Sequence, residues 1–254
     1  MLSVLRRWLG LRERIHIPAD AWAQTCDSIP LLAGLEANEH ERLRGLAEGF
    51  LSTKRIECVD ASLELAERHY YVLAAQACLP VLNLGLDWYA GFVSIVVYPD
   101  EFFPTREYVD EAGVVHVVRE ELAGEAWLQG PVILSWADIV DPPHGGGFNL
   151  VVHEFAHKLD MNNGHANGRP PLHEGMSPES WARDFMAAYD DLCRRVDSGR
   201  QTPINPYAAE EPAEFFAVLS EYFFELPDVL QQEYPAVYAQ LAQFYRQEPL
   251  QRLR

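Results

Sequence analysis

The chain has 254 residues, 48% hydrophobic and 23% charged, an ordinary globular composition with length enough to bury a substantial core. Its 38 acidic against 20 basic side chains give a formal net charge of −18, a field that disfavours nucleic acid or an anionic membrane as partner. Residues 1–9 lack an apolar run long enough for a secretion signal. Cys26, Cys58, Cys78 and Cys193 are widely spaced with no C-x-x-C pair, so free thiols in a reducing cytoplasm are expected.

Along the chain, residues 28–50 carry Leu31, Leu32, Leu35, Leu43, Leu46 and Phe50 at helical spacing and are predicted to be helical. Residues 54–59 read as a short strand and 62–79 as a second helix. The uncharged run from Tyr70 to Leu86 is interrupted by Gln76, Pro80, Asn83 and Gly85 and falls short of the ~20 apolar residues of a membrane span. It is read as a buried helix ending at Pro80. Three β-branched runs, 93–98, 114–118 and 130–136, predict strands. Gly145-Gly146-Gly147 has neither the spacing nor the following lysine of a phosphate loop and reads as a turn. Helices are then predicted at 178–196, 212–226 and 235–246, besides the one described next.

His153-Glu154-Phe155-Ala156-His157 is the most informative segment. Positions four apart share a helix face, so the two imidazoles project side by side and can grip one Zn²⁺. Glu154 is then placed to act as general base toward a metal-activated water. Asn149 is the expected N-cap, and Asn162-Asn163-Gly164 the stop. Leu150, Val151, Val152, Phe155, Ala156 and Leu159 make the helix largely buried. Two histidines and a glutamate buried there are costly unless something such as a metal pairs with them.

A catalytic zinc takes three protein ligands. The H-E-x-x-H-x-x-G-x-x-H pattern fails, because Asp160 and Asn163 stand where it requires Gly and His. Asp160 is expected to support a histidine or cap the helix end. Glu210, Glu211, Glu214, Glu221 and Glu225 remain candidates. Pro212 suits a first helical turn, which leaves Glu210 and Glu211 solvated at its mouth. Glu214 stands against Phe215-Phe216 inside an apolar helix, where a carboxylate needs a cation. Glu221, seven residues on, reads equally as a partner orienting a ligand histidine or as a partly exposed acid, and Glu225 is expected at the surface. His165 and His173 follow the motif helix and are weaker candidates for touching substrate. The strand at 130–136 is a candidate edge for pairing with an extended peptide.

Pro212–Ala217, with Tyr207 seven residues before Glu214, resembles the second zinc-binding helix of anthrax lethal factor-like peptidases. Residues 76–80, 97–99, 130–136, 149–160 and 168–172, in that order, resemble the Mlc titration factor A (MtfA) family of zinc-dependent peptidases over almost the entire length. The resemblance implies His153, His157 and Glu214 as zinc ligands, Glu154 as general base and Tyr207 as the group facing the oxyanion. It implies a cytoplasmic peptidase acting on a peptide or protein substrate. Members in enteric bacteria are tied to the glucose-regulatory repressor Mlc, so an Mlc-like repressor is a candidate partner, though this sequence displays no repressor-binding surface.

The expected fold is α+β: a mostly helical N-terminal part (1–85), a small mixed β-sheet, and a helical zincin-type catalytic region (86–254), with one continuous domain over 15–250 as the alternative. The rival function is a non-catalytic regulatory protein that sequesters a transcription factor and carries a zinc site. Glu154 disfavours it, since a structural zinc site needs no base beside its ligands.

Overall fold

The computed structural model describes residues 15–60, 65–99, 105–109, 115–119, 130–140 and 146–252. Two helices, α1 (Ala19–Asp27) and α2 (Ala37–Thr53), precede strand β1 (Arg55–Cys58). The helix expected over 28–50 is therefore shorter and later. Pro30–Leu32 forms a 3-10 turn, and α2 starts only after Glu36, whose N–H donates to the Glu39 carboxylate at 3.0 Å. The leucines at 31, 32 and 35 lie before α2 rather than within it. Helix α3 (Glu67–Cys78) is buried along most of its second half and stops before Pro80, as its sequence requires.

Strands β2 (Ser94–Tyr98) and β5 (Val132–Ser135) join β1 in a sheet of order β1-β2-β5. Both pairings are parallel, with Ile56 opposite Ile95 and Ile95 opposite Val132. The α+β expectation holds, but this sheet is parallel throughout rather than mixed. Parallel neighbours need long crossovers, and α3 supplies the one from β1 to β2. A separate antiparallel pair, β3 (Thr105–Val109) and β4 (Val115–Arg119), lies between β2 and β5 in sequence; β3 was not anticipated.

The short helix α4 (Trp136–Val140) and a bend at Gly146 and Gly147 lead into the motif helix α5 (Leu150–Asp160). Gly145 lies outside the described residues, as do residues 1–9 and the first residues of the helix expected over 62–79. Asn149 caps α5 as expected, its Oδ1 accepting from Val152 N–H at 2.9 Å. Helix α6 (Pro178–Asp197) is capped by Ser177. It is followed by α7 (Pro212–Glu225), α8 (Pro227–Glu233), α9 (Pro235–Tyr245) and α10 (Pro249–Arg252). Helices α1, α8 and α10 were not anticipated, and the last two are short segments that start at prolines.

Every residue of α7 from Ala213 to Phe224 is buried. A helix buried all round sits at the centre of the molecule, and this one packs chiefly on α5. On the side of α5 away from its histidines, Phe155 meets Phe50, Tyr89 and Phe92 at ring-centroid distances of 5.6, 5.0 and 5.8 Å. Burying one such ring contributes about 1.5–3 kcal/mol. Those contacts key α5 to α2 and to the segment before β2. No described helix is long and apolar enough to cross a membrane.

Candidate metal centre

The facing surfaces of α5 and α7 form a polar seam within this apolar core. His153 and His157, one turn apart on α5, bring their Nε2 atoms to 3.1 Å of each other. Glu214, in the first turn of α7, places Oε2 3.0 Å from His153 Nε2 and Oε1 3.3 Å from His157 Nε2. One ligand atom from each of the three lies within 4.8 Å of the others, a grouping that could hold a metal ion.

The bonding pattern fits a cation at that point. His153 Nδ1 is 2.7 Å from Glu221 Oε1, so a neutral His153 donates there and presents its Nε2 lone pair to the centre. With His153 neutral and its hydrogen on Nδ1, the buried Glu214 Oε2 has no donor although His153 Nε2 lies 3.0 Å away, and the buried His157 Nδ1 has no partner either. Two imidazole nitrogens and a carboxylate converging without a positive charge would repel one another. Burial opposes a charged His153, but Glu214 and Glu221 outweigh it and raise its pKa well above the ordinary imidazole value. Burial likewise works against ionised Glu214, and the two histidines overcome it and hold its pKa well below the usual carboxylate range. The centre thus attracts positive charge strongly, whether proton or metal.

Neighbouring elements fix these positions. Asp160, fully buried at the end of α5, accepts N–H bonds from Asn167, Gly168 and Arg169 at 2.6, 2.6 and 2.8 Å. It therefore secures the loop after the helix. That loop lies hard against Pro212, at the start of the helix bearing Glu214: a Cβ on Gly168 would stand 2.4 Å from the Pro212 carbonyl oxygen. Lys158 Nζ donates to the Gly130 carbonyl at 3.1 Å, tying α5 to the approach of β5. Burial pushes Lys158 down to about 8, and the nearby Glu154 carboxylate resists that.

The half-buried Glu154 stands beside the histidine pair on α5. Tyr207 belongs to the 3-10 turn Pro206–Ala209 and is 40% exposed, its ring centroid 6.2 Å from that of His153. Tyr222 of α7 anchors the preceding segment, its hydroxyl donating to Pro203 O at 3.0 Å and accepting from Asn205 N at 3.1 Å. The fold thus brings His153, Glu154, His157, Tyr207 and Glu214 to one place.

Among the remaining candidates, Glu210 and Glu211 are exposed. Glu221 is 2% exposed and serves His153, so of its two readings the partly exposed acid is excluded. Glu225, expected at the surface, is half-buried and accepts from Asn149 Nδ2 at 2.8 Å, because α7 keeps its last turn against the cap of α5. Burial raises its pKa. His165 is exposed, whereas His173 packs on Phe244, with Nε2 2.8 Å from that residue's carbonyl oxygen, and is structural. Gln76 entered the sequence reading as an interruption of an apolar run and not as a residue of the site. It lies in an apolar helix, and only its polarity at a position that proves 7% exposed signals a specific partner.

A model of the glucose-regulated metallo-peptidase M90 family matches residues 4–246. The chain belongs to that family. "Mlc titration factor A" of Salmonella arizonae is 42% identical over 253 residues, covering 98% of this chain and 99% of the relative. The protein of the same name from Escherichia coli O9:H4 is 42% identical over 248 residues, covering 96% and 92%. That from Klebsiella pneumoniae strain 342 is 42% identical over 235 residues, covering 92% and 88%. As an M90 member, the chain is a metallopeptidase-family protein with a His–His–Glu cluster suited to a metal ion.

Proposed function

We propose that the chain is a cytoplasmic zinc-dependent peptidase in which His153, His157 and Glu214 hold the ion and Glu154 handles the proton. The observation that carries this reading is the convergence of three ligand atoms within 4.8 Å, beside a half-buried Glu154, in a member of a metallopeptidase family. Glu221 is not the third ligand in this reading, because its two oxygens are engaged by His153 Nδ1 and Asn149 N–H. Two imidazoles and one carboxylate are a donor set that zinc favours. The four cysteines are free thiols, in keeping with a reducing compartment.

When bound, zinc supplies a Lewis acid that activates water near neutral pH and polarises the scissile carbonyl. Glu154 accepts a proton from the attacking water as the new C–O bond forms. It then passes the proton to the amine nitrogen as the C–N bond breaks. The Tyr207 hydroxyl donates to the oxygen on which negative charge develops. Strand β5 is an outer strand of the described sheet, and its backbone N–H and C=O groups suit pairing with an extended peptide.

Glu154→Gln tests this directly. The variant is expected to retain stoichiometric zinc while peptide turnover falls roughly 10²–10⁴-fold. Near-normal turnover by zinc-loaded Glu154→Gln would remove Glu154 from the reaction.

The name of the relatives, Mlc titration factor A, favours a second, compatible reading, in which the chain binds an Mlc-type transcriptional repressor. Under pure sequestration Glu154→Gln binds the repressor as tightly as wild type does. Absence of any complex at micromolar concentrations would eliminate that partner.

A further inference from the structure

Asn149 does more than cap the motif helix. Its backbone N–H donates to Glu221 Oε2 at 2.5 Å, and the other oxygen of the same carboxylate meets His153 Nδ1 at 2.7 Å. Its side-chain oxygen accepts from Val152 N–H, while Nδ2 donates to Gln76 Oε1 at 2.9 Å and Glu225 Oε1 at 2.8 Å. Asn149 is 8% exposed, and Gln76 and Glu221 are at least as deeply buried. A helix cap needs one oxygen; Ser177 meets that need on α6 with a hydroxyl. Capping does not account for two acceptors, the buried Gln76 and the half-buried Glu225 from two other helices, that match the two hydrogens of Nδ2.

We infer that Asn149 is a positioning residue for the metal centre, fixing Glu221 and through it the ring of His153. The inference rests on the zinc reading above. Gln76 from α3 and Glu225 from α7 clamp the amide, and the clamped residue aims its N–H at Glu221. Glu221 in turn sets which ring nitrogen of His153 carries hydrogen, and hence which faces the centre. Through Gln76, the N-terminal helical part contributes to the centre itself.

The test uses the full chain and three measurements: zinc affinity by competition with a chromophoric chelator, the visible spectrum of the Co²⁺-substituted protein, and the thermal midpoint. Asn149→Ser keeps a capping oxygen and removes the two Nδ2 bonds. It is expected to melt within about 3 °C of wild type. Its zinc affinity should fall roughly 10-fold or more, with shifted Co²⁺ bands, since partners of ligand histidines are typically worth 10–100-fold in affinity. Gln76→Met should shift affinity and spectrum the same way by a smaller amount, and it decides the matter alone if Asn149→Ser does not fold. Ser177→Ala, a cap loss away from the centre, should lower the midpoint and leave zinc affinity unchanged. Wild-type zinc affinity and Co²⁺ spectrum in Asn149→Ser and Gln76→Met would overturn the inference while leaving the zinc reading intact. Failure of the wild-type chain to bind zinc in the competition assay would instead overturn the zinc reading, and this inference with it.

Discussion

Glu214 and Glu221 lie seven residues apart on one buried helix and differ in which atoms of His153 they meet. Helical periodicity puts both on one face, and the sequence left Glu221 open between a partner that orients a histidine and a partly exposed acid. Packing separates them: Glu214 faces Nε2 of both histidines, and Glu221 faces Nδ1 of one. Tyr207 has no such signature, since it sits in a 3-10 turn remote in sequence from α5. Removing an oxyanion donor typically costs 10²–10³ in turnover. Tyr207→Phe is therefore expected to lose roughly that much kcat, with zinc content and KM unchanged. Steady-state kinetics on a fluorogenic peptide will check it, and unaltered kcat would reduce Tyr207 to a wall of the cleft.

Between elements, the geometry depends on how the end of α5 is joined to the start of α7. Asp160 and the three N–H groups it accepts form that joint, with Gly168 at its tightest point. The sequence offered Asp160 as a support for a histidine or a cap of the helix end, and gave no sign that it would bind a loop pressed against Pro212. Gly168 combines a φ of +74° with a Cβ position 2.4 Å from a backbone oxygen, whereas Gly199 has φ +66° and open space around it. Gly168→Ala is expected to lower the unfolding free energy by about 2–4 kcal/mol and weaken zinc binding as Glu214 shifts. Gly199→Ala should cost only about 1 kcal/mol, the backbone strain alone. Urea melts of both variants measure this, and equal losses would show that the approach to Pro212 is not tight.

Over the whole molecule, buried residues from Ile17 to Tyr245 belong to one connected apolar cluster in which Leu43 and Phe50 share a core with Phe155 and Phe244. We propose that residues 15–250 unfold as one unit, because separating 1–85 from the rest would open that cluster. Zinc at about 100 times its Kd would add about 2.7 kcal/mol of native-state stability. Chelation should then lower the thermal midpoint by about 5–10 °C while leaving a single transition. Calorimetry that resolves two transitions would restore a two-domain description, and a midpoint indifferent to chelator would speak against a bound metal.

The sequence by itself determined the motif helix, its Asn149 cap, most of the strands and the long C-terminal helices. Those follow from side-chain period, caps and β-branching, which act over a few residues. The tertiary structure alone decided the parallel register of the sheet, which glutamate meets which imidazole nitrogen, the burial of Glu225 and the link from Gln76 to Asn149. Each of these joins residues tens of positions apart. Their distances depend on how whole faces pack, and no local pattern in a single chain encodes that.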